Sequence, residues 1–392
     1  MQACNILNFL ILFSSLHMLL VPARFLLGFN PNFFILLVYF CFNLFILLIF
    51  IKKKFFNKIN ALEFMVIIIP ILLLPISIFN GQINHHLIVD ILKPLLFVVT
   101  IVFFKNVNLK SLLNSKNLVS YMTFFYISCI LSASILIFFY IFKGGFYLSA
   151  TSSLILIPIF YFYFKKNFSR FFLGIIVIIN AGKRAVLLSF IISYLILFLS
   201  KIKSLKQLIF YFSSFIIIIF SVWILFINGY LDDILMVKKI TTAINLVEDK
   251  SFIYAFGGRA EEIIYSLSFF FENPLFFLVG AGPGYVYNMN SAFGLELKNV
   301  HGVHFSPVGI FTIYGPMFFL LLYYYLFKQL KKSYKVLKSY NGKNPLVKTA
   351  ALFIIANFIA SFTAFSIFTP IYFAIFIGMI NNKTFYEDDN IK

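Results

Sequence analysis

Long apolar runs, separated by short polar or basic segments, repeat along almost the whole chain. Most last roughly 17–23 residues, enough for a helix to cross about 30 Å of hydrocarbon. The runs are continuous, whereas the strands of a membrane β-barrel alternate apolar and polar positions, so a barrel is excluded. The pattern predicts spans near 5–22, 32–51, 61–79, 87–104, 120–142, 148–164, 168–181, 185–200, 208–227, 307–327, 347–365 and 367–382, about twelve helices. The expected fold is an all-α polytopic membrane protein, one integral membrane domain over residues 1–392. The first run lacks a basic leader and reads as a retained signal-anchor helix. The last two spans are joined by a tight turn around Phe365–Thr369.

One apolar stretch does not fit this rhythm. Residues 263–280, "IIYSLSFFFENPLFFLVG", carry Glu272-Asn273-Pro274 in the middle, and Asn-Pro disfavours helix and removes a donor. Counting it as a span would also place the basic segment after residue 327 on the wrong side. Arg259–Phe271 is therefore expected to form an amphipathic helix on the outer membrane face. It lies within one long outer loop between spans nine and ten, residues 228–306, whose Gly and aromatic content favours an ordered structure.

Charge fixes the orientation. Only 11% of the 392 residues are charged and 62% are hydrophobic, against about 25% charged in soluble domains. The net charge of +19 does not point to nucleic acid, because Lys and Arg sit in short loops such as "KKKFFNK", "KKNFSR", "KIKSLK" and "KQLKKSYKVLKSYNGK". With both termini cytoplasmic, roughly 22 basic residues fall inside and about 10 outside, as the positive-inside rule requires. Cys4, Cys41 and Cys129 offer neither a disulfide framework nor zinc-ligand spacing.

Three polar features then converge on the outer side. In "NAGKRAVLLSF", Lys183 and Arg184 interrupt apolar sequence at the outer interface, as snorkelling anchors or as functional residues. In "FGGRAEEI", Gly257 and Gly258 precede Arg259, a residue suited to gripping phosphate, and Glu261 and Glu262 favour the helix N-terminus that follows. In "KNVHGVHFSP", Ser306 is expected as N-cap and Pro307 as first residue of span ten, placing His304 at the outer mouth of that helix. A neutral imidazole there can accept a proton from a hydroxyl beside a helix end that suits an anion; a solvated loop histidine is the bland reading. His301 and His304 have only Glu296 nearby as a further ligand, a poor zinc set. "GAGPGY", residues 280–285, lacks the features of a nucleotide loop and predicts a sharp turn toward span ten. Asp90 and Lys93 share a face of span four, which predicts an intramembrane ion pair, either structural or lining a cavity.

Lys183-Arg184 at the start of a mid-chain span, Gly258-Arg259 in a long outer loop, Asn273-Pro274-Leu275 before Gly280-Ala281-Gly282, and His304 eleven residues before Gly315 together resemble the O-antigen polymerase and O-antigen ligase superfamily of bacterial envelope enzymes. The resemblance covers residues 180–320 best. It implies glycan transfer from an undecaprenyl-diphosphate carrier on the periplasmic face of the inner membrane. By match, Arg184 and Arg259 would hold the diphosphate and His304 would assist the acceptor hydroxyl. Lys183, Gly258 and His301 would line the substrate site. Phe305 departs from the family, which often has Asn after this His.

The same resemblance implies no cofactor and no metal, since guanidinium groups can stabilise the departing diphosphate. Expected partners are the lipid-linked oligosaccharide, membrane lipid and a chain-length regulator protein. A polymerase, extending a lipid-linked repeat unit, is the favoured expectation. A ligase, transferring polymer to the lipid A core, and a lipid-linked oligosaccharide flippase are the alternatives. The flippase is disfavoured because no repeat relates the two halves of the chain.

Overall fold

The computed structural model describes residues 3–27, 45–109, 117–143, 153–180, 184–202, 259–290, 296–340, 344–362, 367–368 and 371–386, with isolated positions 43, 204, 206, 207, 209, 213 and 342. Its helices, in chain order, are α1 (Ala3–Leu27), α2 (Ala61–Leu72), α3 (Leu74–Phe79), α4 (His85–Asn106), α5 (Asn117–Lys143), α6 (Leu156–Phe164), α7 (Phe168–Asn180), α8 (Arg184–Lys201), α9 (Arg259–Glu272), α10 (Ser306–Ser339), α11 (Pro345–Ser361) and α12 (Ile371–Ile380). Four stretches are long and apolar enough to cross a membrane: Ala61–Phe79, His85–Asn106, Asn117–Ile135 and Ser306–Ser339. Shorter apolar helices accompany them, and the chain is a helical membrane protein. Most of the expected spans 208–227 and 32–51, the tight turn expected around residues 365–369 apart from 367 and 368, and loop residues 228–258 lie outside the described residues.

Local chemistry sets several helix starts. Asn60 and Glu63 form a reciprocal capping box: the Glu63 N–H donates to Asn60 Oδ1 at 2.9 Å, and the Asn60 N–H donates to Glu63 Oε2 at 3.0 Å. Asn84 caps α4 by accepting from the His86 N–H at 2.9 Å, and Asn344 caps α11 ahead of Pro345. The expectation that Ser306 caps α10 is corrected. Phe305 holds the extended N-cap position, and Ser306 and Pro307 are the first two helical residues, with no side-chain cap bond.

Lipid tails are as apolar as the helix faces, so the helices are held by close fit and by hydrogen bonds between them. α12 packs along α4, where a Cβ on Gly378 would stand 2.6 Å from the Ile101 carbonyl oxygen. α1 packs on α5 and is tied to α12 by a bond between Ser14 Oγ and the Tyr372 hydroxyl at 2.9 Å. α11 packs against both α8 and α10.

α10 differs from expectation in two ways. It continues to Ser339, so most of the basic segment read as a loop after residue 327 is helical. Gln329, Ser333, Val336 and Leu337 form its buried stripe at helical spacing, and the lysines between them are good helix formers. Its first half is broken at Gly315, whose φ of 78° and ψ of 172° are non-helical, followed by Pro316. Pro316 has no N–H for the Thr312 carbonyl, and the turn "GAGPGY" supplies one. Ala281 N–H donates to Thr312 O at 2.7 Å and Gly282 N–H to Ile313 O at 3.0 Å. The predicted turn is therefore also the cap of a broken helix.

The expected amphipathic helix is present as α9, one residue longer than expected. The sequence pattern did not reveal the hairpin that follows: β1 (Val286–Asn290) pairs antiparallel with β2 (Glu296–His301), Val286 opposite His301, with an irregularity between Tyr287 and Met289. The hairpin carries the chain from the glycine turn back to the start of α10.

Candidate active site

The glycine turn is pinned from the other side by the α3–α4 corner. Asn80 Nδ2 donates to Ala281 O at 3.0 Å and Asn84 Nδ2 to Gly284 O at 2.8 Å. The Gly284 N–H then donates to Asp90 Oδ2 at 2.9 Å, in the second turn of α4. Tyr314, just before the α10 break, donates its hydroxyl proton to the Asp90 backbone carbonyl at 2.7 Å. Turn, corner and broken helix thus fix one another.

On this frame sits a cavity of about 250 Å³ whose lining includes Asp90, Lys93, His301, His304, Ser306 and Tyr314. Both histidines of "KNVHGVHFSP" therefore face one space, but they are held differently. His301 is mostly buried, with Nδ1 2.9 Å from the Tyr285 carbonyl oxygen and Nε2 3.2 Å from Asp90 Oδ1. Its ring stacks on His86 at 3.9 Å. Both of its nitrogens are engaged, so none is left to take a proton from a ligand.

His304 is 55% exposed and held on one edge only. Its backbone N–H donates to Glu262 Oε2 at 3.0 Å, and its Nδ1 lies 2.9 Å from both carboxylate oxygens of Glu262. An ionised carboxylate only accepts, so Nδ1 carries the proton and Nε2 of the neutral ring carries a lone pair. Nε2 has no hydrogen-bond partner among the described residues. This is the geometry of a general base oriented by an acid.

Glu262 lies one turn after Arg259 on α9. Burial works to raise its carboxyl, but the hydrogen bonds from the His304 ring and backbone, with the charges of His304 and Arg259, outweigh it and hold it below the ordinary carboxylate value.

Of the residues expected in the site, His301 and His304 come together, and Arg259 opens the helix whose Glu262 grips His304. Arg184 is the first residue of α8; its side chain, and all of Lys183 and Gly258, lie outside the described residues. The Asp90–Lys93 pair forms, at 3.9 Å, and lines the cavity. Phe305 turns its ring edge-on to Phe362 at 5.8 Å, an apolar contact that an amide would not make.

Two residues of the site were missed. From sequence Glu262 only favours its helix start, because nothing in a sequence tells that a carboxylate meets a histidine 42 positions on. His86 left a signal in "NHHL": four of the chain's five histidines, all but His17, fall at predicted outer ends. Comparison with protein-family models, with curated proteins and with solved structures finds no match to this chain.

Proposed function

We propose that this protein is a membrane glycosyltransferase of the O-antigen polymerase type. It transfers glycan from an undecaprenyl-diphosphate-linked donor to the end of a lipid-linked repeat unit, at the periplasmic face of a bacterial inner membrane. In this reading about twelve spans cross that membrane, both termini are cytoplasmic, and the long loop with α9 and the hairpin is periplasmic. The observation that carries it is His304, fixed by Glu262 with its free nitrogen at the mouth of a polar cavity.

The acceptor hydroxyl gives its proton to His304 Nε2 as its oxygen bonds to the anomeric carbon of the donor. The bond from that carbon to the diphosphate oxygen breaks, and the electron pair leaves with the diphosphate. Negative charge grows on the leaving group, so cations placed beside it lower the barrier. Arg259, and Arg184 at the start of α8, are the residues assigned to that task by their match to the family pattern. Ligase chemistry would be the same, differing only in the acceptor.

A chromosomal disruption tests the reading. Loss of the polymerase leaves lipid A core capped by a single repeat, whereas loss of a ligase leaves bare core and accumulated lipid-linked polymer. A strain carrying His304→Ala should match the disruption. Long-chain lipopolysaccharide made at the wild-type level in that strain would refute the role of His304.

A further inference from the structure

We propose that Lys93, set against Asp90 and His301 on the wall of the same cavity, is a binding residue for a phosphate group of a polyprenyl diphosphate lipid. The inference rests on the glycosyltransferase reading and adds to it an anion subsite on α4, apart from the two arginines.

Charge around the cavity makes the case. Among the described residues Asp90 is the one acid in its lining, and its oxygens are already occupied: Oδ2 by the Gly284 N–H at 2.9 Å, Oδ1 by His301 at 3.2 Å. Lys93 Nζ stands 3.9 Å from Oδ1, near enough to feel the charge but too far to hydrogen-bond. Among the described residues Nζ makes no hydrogen bond. An ammonium whose three donors go unused by the described residues, about a third exposed and about two turns into a membrane-length helix, is placed to receive an anion. The positive end of α10 opens onto the same space through Ser306 and adds to the attraction for an anion.

Size and lining favour a lipid headgroup. About 250 Å³ falls below the roughly 300–1,000 Å³ of sites that enclose whole drug-sized ligands, so the cavity suits a compact group, not a glycan. Ile310, Ile313 and Phe368 also line it, an apolar wall beside the charged groups against which the first part of an isoprenoid chain can lie. Asp90 then holds the turn and His301 in place and keeps Lys93 pointed at the site without consuming its donors.

The test is binding of farnesyl diphosphate, a short polyprenyl diphosphate, to the full chain in nanodiscs, with inorganic pyrophosphate in parallel. Lys93→Met should weaken the lipid about tenfold, the loss of one charge-assisted bond, and Lys93→Arg should restore most of it. Asp90→Asn keeps an acceptor for the Gly284 N–H while removing a negative charge, so it should tighten binding. Opposite signs at these two positions are the signature of an anion site; a merely structural pair would lose binding and thermal stability together at both. Unchanged lipid affinity in Lys93→Met, or weaker binding in Asp90→Asn, overturns the proposal. Pyrophosphate binding as tight as the lipid would assign the site to a free anion and overturn it too. Glycan transfer by the same preparations separates the two ideas. Lipid binding that needs Lys93 without any transfer defeats the glycosyltransferase reading alone, and transfer with Lys93-independent lipid binding defeats the subsite alone.

Discussion

Two carboxylates, Asp90 and Glu63, are each about 2% exposed, and each lies near a lysine, yet they are built to different ends. Glu63 is closed on all sides. Its Oε2 accepts from the Asn60 N–H at 3.0 Å, and Lys105 Nζ reaches Oε1 at 3.2 Å and Oε2 at 3.4 Å. Acid and base saturate each other, and the pair joins the start of α2 to the last turn of α4. Asp90 instead spends its oxygens on a backbone amide and a histidine and leaves its lysine at 3.9 Å. A matched buried pair locks helices, whereas a mismatched one beside a cavity leaves a cation for a ligand.

The largest effect expected from this contrast is on folding at the Glu63 end. Glu63→Ala removes the capping-box acceptor and the partner of Lys105, itself about a quarter exposed, and should cost about 1.5–3 kcal/mol, the worth of a charge-assisted hydrogen bond. It should leave transfer per folded molecule unchanged. Asp90→Asn retains an acceptor for Gly284 and should cost about 1 kcal/mol or less. Unfolding of both variants in nanodiscs checks this; equal costs would erase the distinction.

His304→Ala should lower transfer by about 10²–10⁴-fold, the usual contribution of a general base, with only a small fall in melting temperature, since the half-exposed ring gives up its bond to Glu262 while the backbone N–H keeps its own. His301→Ala should do the reverse in kind. It leaves Asp90 Oδ1 and the Tyr285 carbonyl without a partner, so melting temperature should fall along with activity. A smaller effect, about 1–3 kcal/mol of stability, is expected for Gly315→Ala. There a Cβ would meet the Val279 carbonyl carbon at 2.5 Å on a backbone with φ of 78°. Chemical denaturation of that variant shows whether the turn and the broken helix act as one unit.

The helical membrane class, the apolar helices within the described residues and helix α9 were legible because each follows from local apolar runs and one Asn-Pro interruption. The Asp90–Lys93 pair was legible for the same reason, being an i, i+3 relation on one helix. The hairpin was not, because its strands mix Tyr, Asn, Lys and His without clean alternation and are specified by pairing across the loop. Nor was the purpose of "GAGPGY": Pro316 announces an orphaned carbonyl, but only the fold shows that Ala281 fills it. The unequal roles of His301 and His304 rest on partners far away in sequence, Asp90 and Glu262, which no spacing rule connects.

The finest test concerns Glu262, which in the proposed reaction would act only through His304. Glu262→Gln removes the charge that holds the Nδ1 proton in place, and one charge-assisted hydrogen bond of about 1.5 kcal/mol corresponds to roughly tenfold in rate. Glu262→Asp should recover part of that loss, a rescue that simple packing would not give. Stability supplies an independent sign. The Glu262 carboxyl is held below its ordinary value of 4.5 in the folded protein, so the unfolded chain takes up its proton first as pH falls. Its stabilising contribution is complete above that ordinary value and disappears as pH drops through the lowered, folded one. The stability gap between wild type and Glu262→Gln should therefore be constant near neutrality and close in acid. A gap that stays open at low pH would mean that the glutamate holds α9 by shape alone, leaving His304 to find its orientation elsewhere.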